Sequence, residues 1–194
     1  MALSSTAEAE DTRIARGLRE RDMELLADLV ERYQHRLVRY LVYLTGRRDY
    51  ADDLAQETWI RVLQRGTQYN GRQRFDPWLF AIARNLAIDS LRQGKAGQNA
   101  SLATDADAVL QFSSCGPSPF QAAARSEDAI RLAHRLEVLP PLHREALLLR
   151  FQEELSLDEI AKVVGAPVTT VSSRIYRGLA ELRSAFEEDD SHGV

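Results

Sequence analysis

The chain has 194 residues, 44% hydrophobic and 28% charged, with a formal net charge of -4; these are ordinary proportions for a soluble globular protein, and the length suits two compact domains of under about 100 residues each. No apolar run approaches the roughly 20 residues that cross a bilayer, the opening MALSSTAEAEDTR has neither the basic start nor the apolar core of a secretory signal, and the single cysteine, Cys115, cannot make an internal disulfide. Membrane insertion and export are therefore not expected, and a cytoplasmic location is.

Apolar residues recur with helical spacing, and no run of alternating β-branched residues bounded by turns interrupts them, so the expected fold class is all-α, in two small helical domains. Residues 1–12 read as an acidic tail carrying Glu8, Glu10 and Asp11. The body over 13–95 is basic, with 16 Lys and Arg against 11 Asp and Glu, a surplus of +5. Its first helix is expected over about 22–45, where Leu25, Leu26, Leu29, Val30, Tyr33, Leu37, Tyr40, Leu41 and Leu44 recur at three- and four-residue spacings and Gly46 offers a stop. A second begins near Asp49, in DYADDLAQETWIRVLQRG, with acids in a first turn whose dipole favours them and Gly66 at its end. A third opens at DPWLFAIARNLAIDSLRQ, with Asp76 placed to cap the free amides and Pro77 at the first helical position, which needs no amide hydrogen bond. Leu79, Ile82, Ala83 and Leu86 share one face of that helix, and Trp78 is assigned to the core.

Residues 96–125 are rich in Gly, Ala, Ser and Pro and lack sustained periodicity, which reads as an interdomain linker. Cys115 lies in it, either incidental or a redox sensor. The second body, 126–186, starts with a helix from about Phe120 to Val138 that reaches back into the linker and is stopped by LPP, then continues with a helix over 143–152. SLDE at 156–159 fits a capping box, in which the Ser156 hydroxyl and the Glu159 carboxylate satisfy each other's backbone amides. A short helix follows to Val164, then Gly165 for a left-handed residue, Pro167 to prevent continuation, and Thr169 or Thr170 to cap the next helix. This is a helix-turn-helix in sequence form. At about 100° per residue, Val171, Ile175, Leu179 and Leu182 fall in one sector and are expected to pack on Ile160, Val163 and Val164. The opposite sector holds Thr169, Thr170, Ser173, Tyr176 and Arg177, flanked by Ser172 and Arg174. Such a set suits a major groove, because arginine donates two hydrogen bonds to guanine while short hydroxyls and amides grip phosphate; the solvated face of an ordinary amphipathic helix is the alternative. Residues 187–194 form a second acidic tail.

An enzyme is not indicated: there is no phosphate-cradling glycine loop, no paired carboxylates in a cleft and no nucleophile with a base. Asp52, Asp53 and Glu57 have no His or Cys at ligand spacing, and the four histidines are scattered, so no metal, cofactor or small-molecule substrate is expected.

Taken in order, DDLAQETWIRVLQ, FDPWLFAIARNLAIDSLRQ and LPPLHREALLLRFQEELSLDEIAKVVGAPVTTVSSRIYRGLAELR, with the polar linker between the second and third, resemble a bacterial RNA polymerase sigma factor of the extracytoplasmic-function type. The resemblance spans both bodies and implies a transcription initiation factor whose partners are core RNA polymerase and promoter DNA. It implies that 13–95 is sigma region two and 126–186 region four. The acidic amphipathic helix would then dock on the clamp coiled coil of the largest polymerase subunit through Asp53, Leu54, Gln56, Glu57, Arg61 and Leu63. A solvated first turn is the other reading of Asp52, Asp53 and Glu57. The loop QYNGRQRF, with Tyr69, Asn70 and Arg72, and Phe80, Arg84, Asn85 and Ile88, taken as the outward face of the next helix, would capture a base flipped from the minus-ten element. Exposed aromatics stack on unpaired bases for about 1–3 kcal/mol each, and Asn85 would give the base a polar partner; packing of Phe80 and Ile88 on a neighbouring helix is the alternative.

The same resemblance has the last helix read the minus-thirty-five element as duplex, with Ser172, Ser173, Tyr176 and Arg177 toward bases, Arg174 toward phosphate, and Thr169 and Thr170 at the helix start. Family members often carry Lys or Arg where this chain has Ser172, which bears on its sequence preference. In the linker, Asp105 and Asp107 would mimic RNA phosphates, or the linker is a passive tether. An anti-sigma protein is a further partner the family allows. Two other functions fit the pattern: an autonomous operator-binding regulator, for which no dimerisation helix is evident, and a sigma-like decoy for an anti-sigma protein, which would be expected to have lost Arg84, Arg174 and Arg177.

Overall fold

A computed structural model of the protein describes residues 2–96, 132, 135–136 and 138–192, and among them every regular element is helical. Asp105, Asp107, Cys115 and most of the helix expected from about 120 to 138 lie outside the described residues. The chain divides into two units, Met1–Gln93 and Gly94–Val194. No helix among the described residues is long and apolar enough to cross a membrane.

The first unit consists of α1 (Ala2–Glu20), α2 (Met23–Thr45), α3 (Arg48–Arg65), a 3-10 turn (Gly66–Gln68) and α4 (Phe75–Ala96). α2 starts and stops where the sequence indicates: the Asp22 carboxylate accepts from the amides of Glu24 and Leu25 at 3.0 and 3.1 Å, and Gly46 closes the helix in the left-handed region at φ 71°. α1 replaces the expected acidic tail over 1–12. Its anchors, Ile14, Ala15 and Leu18, are buried, and the acids before them are committed to the unit. Glu10 pairs with Arg13 and with Arg32 of α2 at 3.2 and 3.1 Å, and Asp11 accepts from the Tyr69 hydroxyl and the Phe75 amide at 2.8 and 2.9 Å. The opening residues are small or acidic, so they show no amphipathic stripe of their own; the stripe that fixes the helix comes after them.

α4 is buried on two sides. Leu79, Ile82 and Ala83 line one, as the spacing indicates, and Phe80, Arg84 and Ile88 line another. Phe80 meets Tyr40 of α2 edge-to-face, with ring centroids 5.2 Å apart. Asp76 does not cap. Because Phe75 already begins the helix, Asp76 lies inside its first turn, where its buried carboxylate accepts from the Tyr33 hydroxyl at 3.0 Å and from Arg36 and Arg74 at 3.1 and 3.0 Å. Burial, and then the adjacent Asp76 charge, push the Tyr33 phenol up to about 12. Gly66 has right-handed φ (-54°); it is the approach of α1 that requires it, since a Cβ there would lie 3.0 Å from the Leu18 carbonyl oxygen.

The second unit contains α5 (Pro141–Leu147), a π-helical turn (Leu148–Gln152), α6 (Leu157–Val164) and α7 (Val168–His192). The capping box forms, with the Glu159 amide donating to Ser156 Oγ at 3.3 Å and the Ser156 amide to Glu159 Oε2 at 2.8 Å. Gly165 takes φ 67° at the end of α6. Thr169 and Thr170 are not caps: α7 starts at Val168, and the Pro167 carbonyl accepts from the amides of Thr170 and Val171 at 2.9 and 3.1 Å. The apolar face of α7 also packs differently from expectation. Val171 is fully buried, but Ile175 and Leu182 lie against Leu136, Leu139 and Leu147, and Leu179 is 42% exposed. The cause is Gly178, where α7 crosses α5 so closely that a Cβ would stand 3.0 Å from Leu147 Cδ1 and 3.3 Å from His143 Cβ.

Candidate nucleic-acid interface

The start of α7 presents the polar sector that helical counting identifies. Thr169, Ser172, Ser173, Tyr176 and Arg177 are exposed, Tyr176 to 76%, and Thr170 and Arg174 are half-buried. Thr169, Thr170, Ser173, Arg174 and Arg177 line one open cleft of about 400 Å³, while Ser172 and Tyr176 stand on the surface outside its lining. The opposite wall, which the sequence does not reveal, is Leu142 and His143 of α5. His143 Nδ1 lies 3.2 Å from Glu181 Oε2, one turn of α7 beyond Arg177, so the ring is tied to the helix whose polar face it borders. No periodicity signals this pairing; it follows from the crossing at Gly178. Two arginines and three hydroxyls around a concave opening at a helix start can grip phosphate and donate to base edges.

In the first unit the loop 69–74 is more internal than expected. Asn70 and Arg72 are exposed, and Asn70 Oδ1 accepts from the Arg72 amide at 3.0 Å around Gly71, which has φ 72°. Tyr69 is buried. Its hydroxyl reaches both Asp11, at 2.8 Å, and the Gln73 carbonyl, at 2.6 Å, so it braces the loop instead of offering a stacking face. Phe80 is 0% exposed, Arg84 2%, and Ile88 is buried. These three do not form an outward face, because their four-residue spacing puts them on one stripe of α4 and Phe80 on that stripe meets Tyr40 of α2. Asn85 is exposed as expected. Trp78, assigned to the core, is instead half-buried, with its ring 5.1 Å from Tyr69 and 5.8 Å from Phe75.

Burial pushes the Asp11 carboxyl up from its ordinary value, against the hydrogen bonds from Tyr69 and Phe75 that favour its charged form. Burial and Asp11 together raise the Tyr69 phenol. For an acid whose folded pKa is raised, the stabilising contribution is present below the unfolded value and is lost as pH rises through the folded one. Asp11→Asn keeps an acceptor oxygen and removes the titration. Wild type is therefore expected to gain melting temperature relative to Asp11→Asn as pH falls from 7 toward about 4; a difference that stays constant or moves the other way contradicts this account of Asp11.

On α3, Asp53 and Gln56 are exposed, Leu63 is half-buried, and Glu57 and Arg61, both partly exposed, pair at 2.8 Å. Leu54 is 7% exposed and belongs to the core, so it is not a surface contact. Ile60, 47% exposed, continues the stripe of Asp53, Gln56 and Glu57; the i, i+3, i+4, i+7 spacing of that stripe was the signal available for it. No group of three or more His, Cys, Asp or Glu placed to hold a metal ion occurs among the described residues.

The chain matches the family descriptions Sigma-70 region 2 over residues 29–96 and Sigma-70, region 4 over residues 129–182. It is 30% identical over 171 residues to the ECF RNA polymerase sigma factor SigW of Bacillus subtilis (strain 168), covering 86% of this chain and 91% of that protein. Its fold is similar to that of CnrH, solved in complex with the cytosolic domain of CnrY, with TM-score 0.65 at 21% identity, covering 92% of this chain and 98% of CnrH. It is also similar to that of the sigma factor RpoE of Bartonella quintana, solved in complex with the anti-sigma factor NepR, with TM-score 0.63 at 21% identity over 83% and 96% of the two chains. The chain belongs to the sigma-70 family, as an ECF-type sigma factor: a transcription initiation factor that acts with core RNA polymerase and promoter DNA, not an enzyme.

Proposed function

We propose that this sigma factor recognises the minus-thirty-five element as duplex through α7 and the minus-ten element as melted single strand through its first unit, directing cytoplasmic RNA polymerase to one class of promoter. The observation that carries the reading is the gathering of Thr169, Thr170, Ser173, Arg174 and Arg177 around one open cleft. Arg177 has the reach for a guanine edge and Arg174 for phosphate, while Ser172 and Tyr176 flank them. At the minus-ten site, Asn70, Arg72 and Asn85 meet the strand and Trp78 provides the stacking surface. Tyr69, Phe80, Arg84 and Ile88 support that surface from within. The stripe of Asp53, Gln56, Glu57, Ile60 and Arg61, with Leu63 beside it, docks on the clamp coiled coil, and Leu54 packs behind.

The charge distribution supports a division of labour. The chain is acidic overall, but 13–95 carries a surplus of +5, which suits a strand-binding unit; α7 then selects sequence while polymerase supplies much of the electrostatic grip. An anti-sigma partner is a second proposal, supported by the solved complexes of CnrH and RpoE, whose fold this chain shares. Transcript mapping after overexpression tests the main reading. New start sites preceded by one recurring pair of motifs are expected; repression from a palindromic operator, with no new starts, points to an autonomous regulator.

A further inference from the structure

α1 ends at Glu20, ahead of the region 2 match that begins at residue 29, yet it is built against the loop that leads into α4. A Cβ at Gly71 would come within 2.8 Å of the Asp11 carbonyl oxygen and 3.0 Å of the Thr12 Cα, and one at Gly66 within 3.0 Å of the Leu18 carbonyl oxygen. The face of α1 that carries Asp11, Ala15 and Leu18 therefore lies along residues 66–71. A different face meets α2: a Cβ at Gly17 would overlap Leu25, and Glu10 bonds to Arg32. Going round the helix at about 100° per residue, away from α2 and past the loop-facing residues, the next positions are Glu8, Arg19, Thr12 and Arg16. All four are exposed. Arg13 falls on the α2 side and is engaged by Glu10 at 3.2 Å.

Arg16 and Arg19 thus border the loop that carries exposed Asn70 and Arg72, and Arg65 closes α3 immediately before Gly66. None of the side chains of Arg16, Arg19, Arg65 and Arg72 has an ion pair or hydrogen bond among the described residues. Glu8 lies in the same sector, one turn N-terminal to Thr12, and Glu20 is exposed toward the Arg13 side; neither holds Arg16 or Arg19. We propose that α1 is part of the DNA-binding surface, with Arg16 and Arg19 contacting the phosphodiester backbone of the promoter strand next to the minus-ten site. The inference rests on the strand-binding role proposed for the first unit and extends it to a helix outside the family match. Phosphate is the fitting ligand because Arg16, Arg19, Arg65 and Arg72 outnumber the acid Glu8 along the rim, and α1 exposes no aromatic or amide group to read a base.

The test uses holoenzyme assembled from purified core polymerase and a fork-junction DNA carrying the mapped promoter, with affinity measured against KCl concentration. Arg16→Gln/Arg19→Gln is expected to make the log-log salt slope shallower by about 1.4–1.8, since each lost phosphate contact removes roughly 0.7–0.9. Arg16→Lys/Arg19→Lys should keep the wild-type slope, and Arg13→Gln should leave it unchanged. Melting temperature and core affinity stay at wild-type values. An unchanged slope in the double glutamine variant overturns the proposal while wild-type binding upholds the sigma reading; a loss of core affinity overturns it too, by assigning the rim to polymerase. Failure of the wild-type holoenzyme to bind the fork removes the strand-binding role itself, and the proposal with it.

Discussion

Phe80→Ala is expected to destabilise the first unit by about 3–5 kcal/mol, the range for deleting a buried aromatic. The ring is fully buried and makes an edge-to-face contact with Tyr40, so the variant loses transferred area, leaves a cavity and forfeits the ring pair. Chemical denaturation followed by far-UV circular dichroism measures this. The reading of Phe80 as an outward stacking residue gives a different result: normal stability with weakened binding of single-stranded minus-ten DNA. A change in stability below about 1 kcal/mol therefore contradicts the burial of α4 on two sides.

Arg177→Ala should weaken binding of duplex minus-thirty-five DNA by roughly 5- to 150-fold, the 1–3 kcal/mol of one bidentate base contact, and should leave core binding and thermal unfolding unchanged. Arg177 is exposed at the rim of the α7 cleft, so nothing in the core depends on it. Arg177→Lys keeps a charge for phosphate but loses the planar fork and should recover only part of the loss. Competition assays with labelled duplex measure both variants. Simultaneous loss of core affinity would instead make Arg177 a structural residue.

Much of the local chemistry is legible in the sequence, and inter-helix geometry is not. Asp22 and Gly46 bracket α2, and Ser156, Glu159 and Gly165 bracket α6, because caps depend on residues a few positions apart. Counting around α7 likewise found Thr169, Ser173 and Arg177, since it needs only the helical period. The caps expected at Asp76 and at Thr169 or Thr170 differ because α4 and α7 begin earlier, at Phe75 and Val168; the other differences lie where the outcome depends on what a helix packs against. α4 looked one-sided because Leu79, Ile82 and Ala83 form a clear stripe, but a second stripe, Phe80, Arg84 and Ile88, is buried as well. An arginine inside such a stripe reads as a surface signal until the surrounding helices are known. α1 was missed because its anchors follow a stretch of small and acidic residues, and His143 because only the crossing at Gly178 brings α5 to the α7 cleft.

The central claim, that this chain confers promoter choice on polymerase through two DNA elements, is tested most directly by run-off transcription with purified components. Core polymerase plus this protein should give a transcript of defined length from a mapped promoter, no transcript without the protein, and a strong reduction when either element is scrambled. Tight, specific binding to an operator in the absence of core, with no transcript when core is added, would contradict it.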